Sequence, residues 1–189
     1  GIGQGYTQTT PLQLCLMTAQ IANGGYKIKP KILTDDNELT SKQIKKAMED
    51  SNLNNLYIPL FDNQKNIKII QEAMFSSTNE LRGTSYKSRI DDPKYQFAGK
   101  TGTAQVKRIS KRERELDLKT FQIPYEERDH ALYVAFGPYK NPRYALSIIV
   151  EHGGSGSSAA APMATKLFKL IVDRHQYRKK LPDYKEFNI

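Results

Sequence analysis

Two apolar runs with a turn between them constrain the fold of this chain more than any other feature. Residues 130–136 and 144–150 are rich in the β-branched and aromatic side chains that favour strands. Residues 137–142 between them hold a Gly-Pro pair and an Asn-Pro pair, both typical of turns. The pattern predicts a β-hairpin, and such apolar runs predict burial on both faces of the sheet.

Three helices are predicted around this hairpin. The first begins at Pro11, where Thr10 as N-cap and Gln13 form a capping box, and its largely apolar composition predicts a buried helix. A second helix covers residues 67–79. Residues 160–172 repeat apolar side chains at i, i+3 and i+4 spacing, which predicts a C-terminal helix lying across the hairpin.

The remaining segments are polar or rich in glycine. Residues 26–33 alternate as a short edge strand, and residues 34–65 are predicted to be an insertion with a short helix near 40–49. Residues 107–129 are dense in charge and predict a long surface loop. The Gly- and Ser-rich run 153–158 is predicted to be a flexible link before the last helix.

Length and composition limit the classes of function. The 189 residues suit one domain, and no apolar run is long enough to span a bilayer. Cys15 has no partner for a disulfide, and the three histidines fit no zinc spacing, so neither a metal nor another cofactor is expected.

The net charge of +9 would attract an anionic polymer. The basic stretches contain few of the aromatic side chains on which single-stranded nucleic acids stack, so no nucleic-acid partner is predicted. A non-catalytic basic module that binds an anionic polymer or a partner protein of the divisome or elongasome stays the alternative hypothesis. The glycines of 153–156 precede a helix, where a phosphate could bind, but they lack the Lys-Ser/Thr ending of a phosphate loop, which favours a link.

The strand predicted over residues 95–106 carries the sharpest chemical pattern. Lys100 offers a cation, and Thr101 and Thr103 offer hydroxyl groups on one side of the pleat. Gly102 allows a ligand backbone to approach, so a peptide ending in a carboxylate can lie alongside. Alternation places Lys100 on the opposite face, so a shared site requires a cleft along the strand edge or a bulge.

In this setting the Lys-Thr-Gly triplet resembles the third motif of serine penicillin-recognising enzymes, and more closely the elongation-type class B penicillin-binding proteins (penicillin-binding protein 2). The order and spacing of the matching stretches resemble the C-terminal part of a transpeptidase domain. The stretches are residues 2–6 with 10–14, 98–105, 130–138, and 150–157 with 160–162.

This resemblance implies a partial serine-transpeptidase (β-lactamase-like) α+β fold. An antiparallel sheet of three strands of the usual five, with the C-terminal helix packed on it and a partial helical subdomain, is expected. Residues 1–94 would be the helical remnant with the insertion, and 95–189 the strands and C-terminal helix. The open edge of the third strand would then favour oligomers.

The resemblance also implies roles for the site residues. Lys100 would lie near the nucleophile, and the Thr103 backbone N–H would donate to the oxyanion. Thr101, Gly102 and Thr103 would bind a D-Ala-D-Ala stem peptide, or a β-lactam that mimics it. No serine here has Lys three positions later, so the nucleophile motif is absent and the chain is predicted to be inactive alone.

One further match to the family pattern is predicted not to be a functional motif. Ser77-Thr78-Asn79 has the letters of the second motif, Ser-x-Asn, but stands too close to Lys100.

The whole protein would cross-link stem peptides during cell elongation. It would be anchored upstream in the bacterial inner membrane, facing the periplasm, with the upstream part and elongation scaffold proteins as partners.

Overall fold

The structure is a computed structural model, and it describes residues 7–30, 59–107, 115, 116 and 118–178. The elements within these residues are three helices and three strands, joined by turns and short 3-10 segments. They are α1 (Pro11–Ala22), α2 (Gln64–Asn79), β1 (Ala98–Ala104), β2 (His130–Gly137), β3 (Tyr144–Val150) and α3 (Ala161–Arg178), which is preceded by a π-helical turn (Gly156–Ala160).

The three strands form one antiparallel sheet in the order β1-β2-β3. Thr101 on β1 lies opposite Tyr133 on β2, and Tyr133 lies opposite Ile148 on β3. The predicted hairpin and the three-stranded antiparallel sheet are therefore confirmed. In the described part of the chain, β1 and β3 form the two edges of the sheet. That an open β3 edge favours oligomers stays a prediction.

One face of the sheet packs against α3. Ala131, Tyr133 and Ala135 alternate along β2 and are fully buried, together with Phe97 and Phe168. The rings of Phe97 and Phe168 stack with their centroids 4.8 Å apart. Burying an apolar side chain of this size stabilises the fold by about 1.5–3 kcal/mol. The prediction that the last helix lies across the hairpin is confirmed.

The opposite face packs against α1 and α2. Met74, Ala98 and Phe136 form its buried centre, with partly buried Ile21 and Phe75 beside them. The helix α2 ends at Asn79, as the sequence predicts. Because α2 packs along β1, the helical part of the chain and the sheet share one core. The division proposed at residue 94 stays a prediction.

Helix α1 begins as predicted but is not buried all round. The Thr10 hydroxyl accepts from Gln13 N at 3.2 Å, and Gln13 Oε1 accepts from Thr10 N at 2.8 Å, which completes the capping box. One side of the helix lies on β3, where Cys15 Sγ contacts Ala145 O at 3.5 Å. Leu12 is 64% exposed, so the prediction of a fully buried helix is wrong for these described residues.

Three other predicted segments differ from the structure or fall outside it. Of the strand predicted over 26–33, only Tyr26 makes a bridge, to Pro59, and residues 27–30 are not in a strand. Pro30 lacks the N–H that a continuing ladder would use. The rest of that strand, the 40–49 helix and residues 108–114 lie outside the described residues.

The glycine-rich run 153–158 is packed on the sheet, so the prediction of a flexible link is corrected. A Cβ on Gly153 would lie 3.0 Å from Ala131 Cβ, and one on Gly156 would lie 2.4 Å from Leu132 O. Gly154 has a φ of +78°, a conformation that glycine adopts without strain. The glycines therefore let the backbone touch the sheet. None of the described helices has the length and apolarity needed to cross a membrane.

A buried cluster of hydroxyl groups joins α2 to the sheet. Tyr133 Oη lies 2.9 Å from Thr78 Oγ1 and 3.1 Å from Ser85 Oγ. Gly99 allows this arrangement, because a Cβ there would lie 2.3 Å from Tyr133 Oη. Burial raises the pKa of the Tyr133 phenol, and its hydrogen bonds with Ser85 and Thr78 oppose the shift. The folded protein therefore holds Tyr133 in its neutral form.

Replacing Tyr133 with phenylalanine is expected to reduce stability and to flatten its dependence on alkaline pH. At about pH 8, losing the buried hydrogen bonds costs roughly 1–2 kcal/mol. Because folding raises this pKa, the folded state binds the proton longer than the unfolded state does. Wild-type stability therefore falls as the pH rises above about 10, whereas the variant lacks that contribution.

Denaturant unfolding of both proteins at about pH 8 and about pH 11 measures this difference. Tyr125→Phe is the matched control, since Tyr125 is 60% exposed. If the wild type and Tyr133→Phe lost the same amount of stability between the two pH values, the prediction would be contradicted.

Candidate active site

The outer edge of β1 is partly covered by α2. Asn79 Nδ2 donates to Phe97 O at 3.0 Å, and Thr78 Oγ1 donates to Gly99 O at 3.4 Å. Backbone groups of alternate residues face the same edge of a strand. The backbone groups of Thr101 and Thr103 therefore lie along this edge as well. They follow the part of the edge, at Phe97 and Gly99, that α2 covers.

Lys100 reaches the same edge from the other face of the sheet. The register of β1 and β2 is unbroken from Ala98 to Ala104, so no bulge re-aims the lysine. Its side chain instead curls over the edge, where Nζ donates to Thr101 O at 3.0 Å and contacts Thr101 Oγ1 at 3.3 Å. Of the two arrangements that the sequence leaves open, the structure lacks the bulge, and the Lys100 ammonium meets Thr101 at the strand edge.

The backbone of Gly102 is in contact with the π-helical turn that precedes α3. A Cβ on Gly156 would lie 2.7 Å from Gly102 O and 3.1 Å from Gly102 N, so the π-helical turn rests on this strand. Thr103 is exposed, and Thr101 and Gly102 are half-buried. The structure thus brings all four predicted residues to one accessible stretch of β1.

Thr84 belongs to this arrangement, although no sequence pattern pointed to it. Its Oγ1 lies 3.2 Å from Thr101 Oγ1 and 3.1 Å from Ser77 Oγ. Ser77 belongs to the Ser-Thr-Asn triplet that has the letters of the family's second motif but stands too close to Lys100. Thr78 and Asn79 of that triplet bond to the backbone of β1 and its approach, while Ser77 reaches the candidate site only through Thr84.

An ion pair and a hydrogen bond hold the segment 118–129 beside the C-terminal end of β1. Lys107 Nζ and Glu127 Oε2 form an ion pair at 2.6 Å, and Asp129 Oδ1 accepts from Val106 N at 3.4 Å. Thr120 lies against Gly154, where a Cβ would approach its Cγ2 to 2.4 Å. The described part of the predicted surface loop is thus anchored to the sheet end.

The glycine run does not offer a phosphate cradle. The N–H groups of Gly153, Gly154 and Ser155 donate to Val150 O, Asp129 O and Gly153 O. These are the donors that an anion would need. These three N–H groups are therefore engaged within the protein and are not available to a phosphate.

The histidines at the strand ends and the cysteine of α1 make contacts that hold the fold together. His130 Nδ1 accepts from His152 N at 3.0 Å, which ties the end of β3 to the start of β2. Burial raises the pKa of the Cys15 thiol, which disfavours the reactive thiolate. Among the described residues no group of three or more His, Cys, Asp or Glu side chains is placed to hold a metal ion.

Comparison with known proteins places this chain in a family. The model of the penicillin binding protein transpeptidase domain matches residues 1–169. The chain belongs to this transpeptidase-domain family. The resemblance derived from the four sequence stretches, and the partial α+β transpeptidase fold that it implied, are confirmed.

Relatives of this transpeptidase-domain chain are named peptidoglycan D,D-transpeptidase MrdA. The protein from Haemophilus influenzae is 31% identical over 191 residues, covering 100% of this chain and 27% of its own length. The protein from Acinetobacter baumannii is 36% identical over 161 residues, covering 84% of this chain and 22% of its own length. The chain thus spans about a quarter of these relatives.

Solved structures of penicillin-binding protein 2 have the same fold. Pseudomonas aeruginosa PBP2 in complex with WCK 5153 superposes with a TM-score of 0.62 at 31% identity, over 99% of this chain and 34% of that one. Helicobacter pylori PBP2 in complex with MreC gives a TM-score of 0.61 at 28% identity, over 95% and 26%.

Proposed function

We propose that this chain supplies the substrate-binding strand of a peptidoglycan D,D-transpeptidase that cross-links stem peptides during cell-wall elongation. The observation that supports this most is the accessible edge of β1, where the Lys100 ammonium and the Thr101 hydroxyl meet. A cation and hydroxyl donors along a strand edge suit a peptide that ends in a carboxylate.

The proposed roles follow from position along the edge. The peptide adds beside β1 as an extra strand, with its carboxylate at the Thr101 and Thr103 hydroxyl groups. Thr103 N–H, which faces the same edge by strand parity, donates to the carbonyl oxygen as negative charge develops on it. Gly102 leaves the strand surface open between them. Lys100 contributes a positive charge and a proton-network partner near the nucleophile.

This chain is proposed to be inactive alone. Acyl transfer needs an activated nucleophile, and no serine of the chain is followed by Lys three positions later. The second oxyanion donor would also come from the nucleophile's own N–H. The chain therefore needs the serine-bearing part of the domain to complete the site.

The proposed setting is the periplasmic face of the bacterial inner membrane, with an anchor in the upstream part of the protein. The partners proposed are D-Ala-D-Ala stem peptides, β-lactams and elongation scaffold proteins. The scaffold proposal is supported by the Helicobacter pylori complex, whose PBP2 is 28% identical to this chain and is bound to MreC.

Labelling by a fluorescent penicillin tests the function and its dependence on a second part. The chain is produced alone and together with the Ser-x-x-Lys-bearing part of a transpeptidase domain from its own gene or from a PBP2 relative. We expect covalent label on the serine-bearing part when both are present, and none on the chain alone.

Two results would contradict the proposal. Label on the chain alone would show that it carries a nucleophile of its own. Equal labelling of the serine-bearing part with and without this chain would show that β1 is not needed for recognition. A serine-to-alanine variant of the serine-bearing part is the control for non-covalent signal.

A further inference from the structure

A short line of hydroxyl groups runs from the end of α2 to the candidate site. Ser77 Oγ lies 3.1 Å from Thr84 Oγ1, and Thr84 Oγ1 lies 3.2 Å from Thr101 Oγ1. Lys100 Nζ lies 3.3 Å from the same Thr101 oxygen. Thr101 is therefore contacted by two groups of the protein besides any ligand.

Counting donors and acceptors decides what Thr101 can offer a ligand. A lysine ammonium only donates, whereas a threonine hydroxyl has one proton and two acceptor positions. If Thr101 gives its proton to Thr84, the Thr101 hydroxyl has no proton left to donate to an anion. If Thr84 donates to Thr101, then Lys100 and Thr84 fill both acceptor positions, and the Thr101 proton points to the open edge.

The second orientation is the one that an incoming carboxylate stabilises. Ser77 can donate to Thr84, Thr84 to Thr101, and Thr101 to the anion, so each hydroxyl in the line keeps a donor and an acceptor. Aligned hydroxyl groups polarise one another and strengthen the last bond. The nearby Lys100 charge also disfavours a Thr101 proton that points toward it.

The turn that carries Thr84 is fixed to the fold on both sides. A Cβ on Gly83 would lie 2.3 Å from Ser77 O, so glycine lets this turn lie against the end of α2. On the other side Ser85 is buried, with its N–H donating to Ser77 O at 3.0 Å and its hydroxyl 3.1 Å from Tyr133 Oη. Thr84 is thus held at a set distance from β1.

We propose that Thr84 is a positioning residue for carboxylate recognition, because it donates to Thr101 and leaves the Thr101 hydroxyl proton for the carboxylate of the substrate. This inference rests on the proposed function, in which Thr101 binds that carboxylate. Thr84 itself does not touch the substrate.

The test uses a transpeptidase in which this chain is combined with the serine-bearing part of the domain. Acylation rates are measured with benzylpenicillin and with its methyl ester, which lacks the anionic carboxylate. Thr84→Val keeps the shape of the side chain and removes the hydroxyl. We expect it to slow acylation by benzylpenicillin about tenfold, the effect of one hydrogen bond to a charged group, and to leave the ester rate nearly unchanged.

Two further variants separate positioning from a merely structural role. Thr84→Ser keeps the hydroxyl and is expected to restore the preference for the carboxylate. In a Thr101→Val background, Thr84→Val is expected to have no further effect, because its influence passes through Thr101. Ser76→Ala is the matched control, since Ser76 bonds to Glu80 at the end of α2 and lies outside the line of hydroxyl groups.

The outcomes are distinguishable. An unchanged ratio of the two rates in Thr84→Val, equal slowing of both, or additive effects with Thr101→Val would each overturn the role of Thr84 and leave the proposed function standing. Absence of acylation in the wild-type protein would overturn the proposed function, and this inference with it.

Discussion

Replacing Lys100 with alanine is expected to reduce acylation by fluorescent penicillin at least about a hundredfold in a transpeptidase that combines this chain with the serine-bearing part. The variant removes the ammonium that curls over the edge of β1 and donates to Thr101 O at 3.0 Å. That charge would attract the carboxylate of the ligand and take part in proton transfer near the nucleophile. Both contributions act in the acylation step.

Folding is not expected to change in this variant. Lys100 is exposed, and its hydrogen bonds go to the adjacent residue, so thermal unfolding should match that of the wild type. Lys140→Ala, at an exposed position in the turn between β2 and β3, is the control for loss of positive charge. An acylation rate for Lys100→Ala within about threefold of wild type would contradict a role for Lys100 in catalysis.

Replacing Gly156 with alanine is expected to produce the largest loss of stability. The added Cβ would lie 2.4 Å from Leu132 O and 2.7 Å from Gly102 O. Both atoms belong to the backbone of paired strands, which cannot rotate away as a flexible side chain would. The π-helical turn must therefore move off the sheet, and α3, which follows it directly and carries Phe168, must shift its packing against Phe97 and Tyr133.

Overpacking of this kind costs about 3 kcal/mol, which lowers the Tm of a domain of this size by about 6–12 °C. Circular dichroism melting of the wild type and the variant measures the shift. Ser158→Ala, at an exposed position of the same turn, is expected to change the Tm by less than about 2 °C. If the Gly156→Ala protein had the same Tm as the wild type, this turn would not be packed against the sheet.

Local sequence signals were sufficient where short-range chemistry decides the structure. The capping box at Thr10 and Gln13 involves residues three apart, so its letters predict the start of α1. The Gly-Pro and Asn-Pro pairs of residues 137–142 predict the turn of the hairpin for the same reason. The period of apolar residues in 160–172 predicts α3, and Ala160, Ala164, Phe168 and Val172 of that period are buried, although Met163 and Leu167 are exposed.

Predictions about burial and mobility were less successful, because they depend on distant residues. The composition of α1 indicated a buried helix, yet Leu12 is exposed, since only one side of this helix has a sheet to pack on. The glycines of 153–158 indicated flexibility, yet Gly153 and Gly156 lie against strands that are more than fifteen residues away in sequence. Composition does not say whether a glycine is free or tightly packed.

By itself the sequence determined the chemical groups of this site: a lysine, two hydroxyl groups and a glycine on one strand, without a nucleophile motif beside them. Only the tertiary structure decided how they combine. It brought the Lys100 ammonium over the strand edge and placed Thr84, seventeen positions away, at 3.2 Å from Thr101. The physical reason is that side-chain identity is local, whereas the direction of a hydrogen bond depends on which elements pack together.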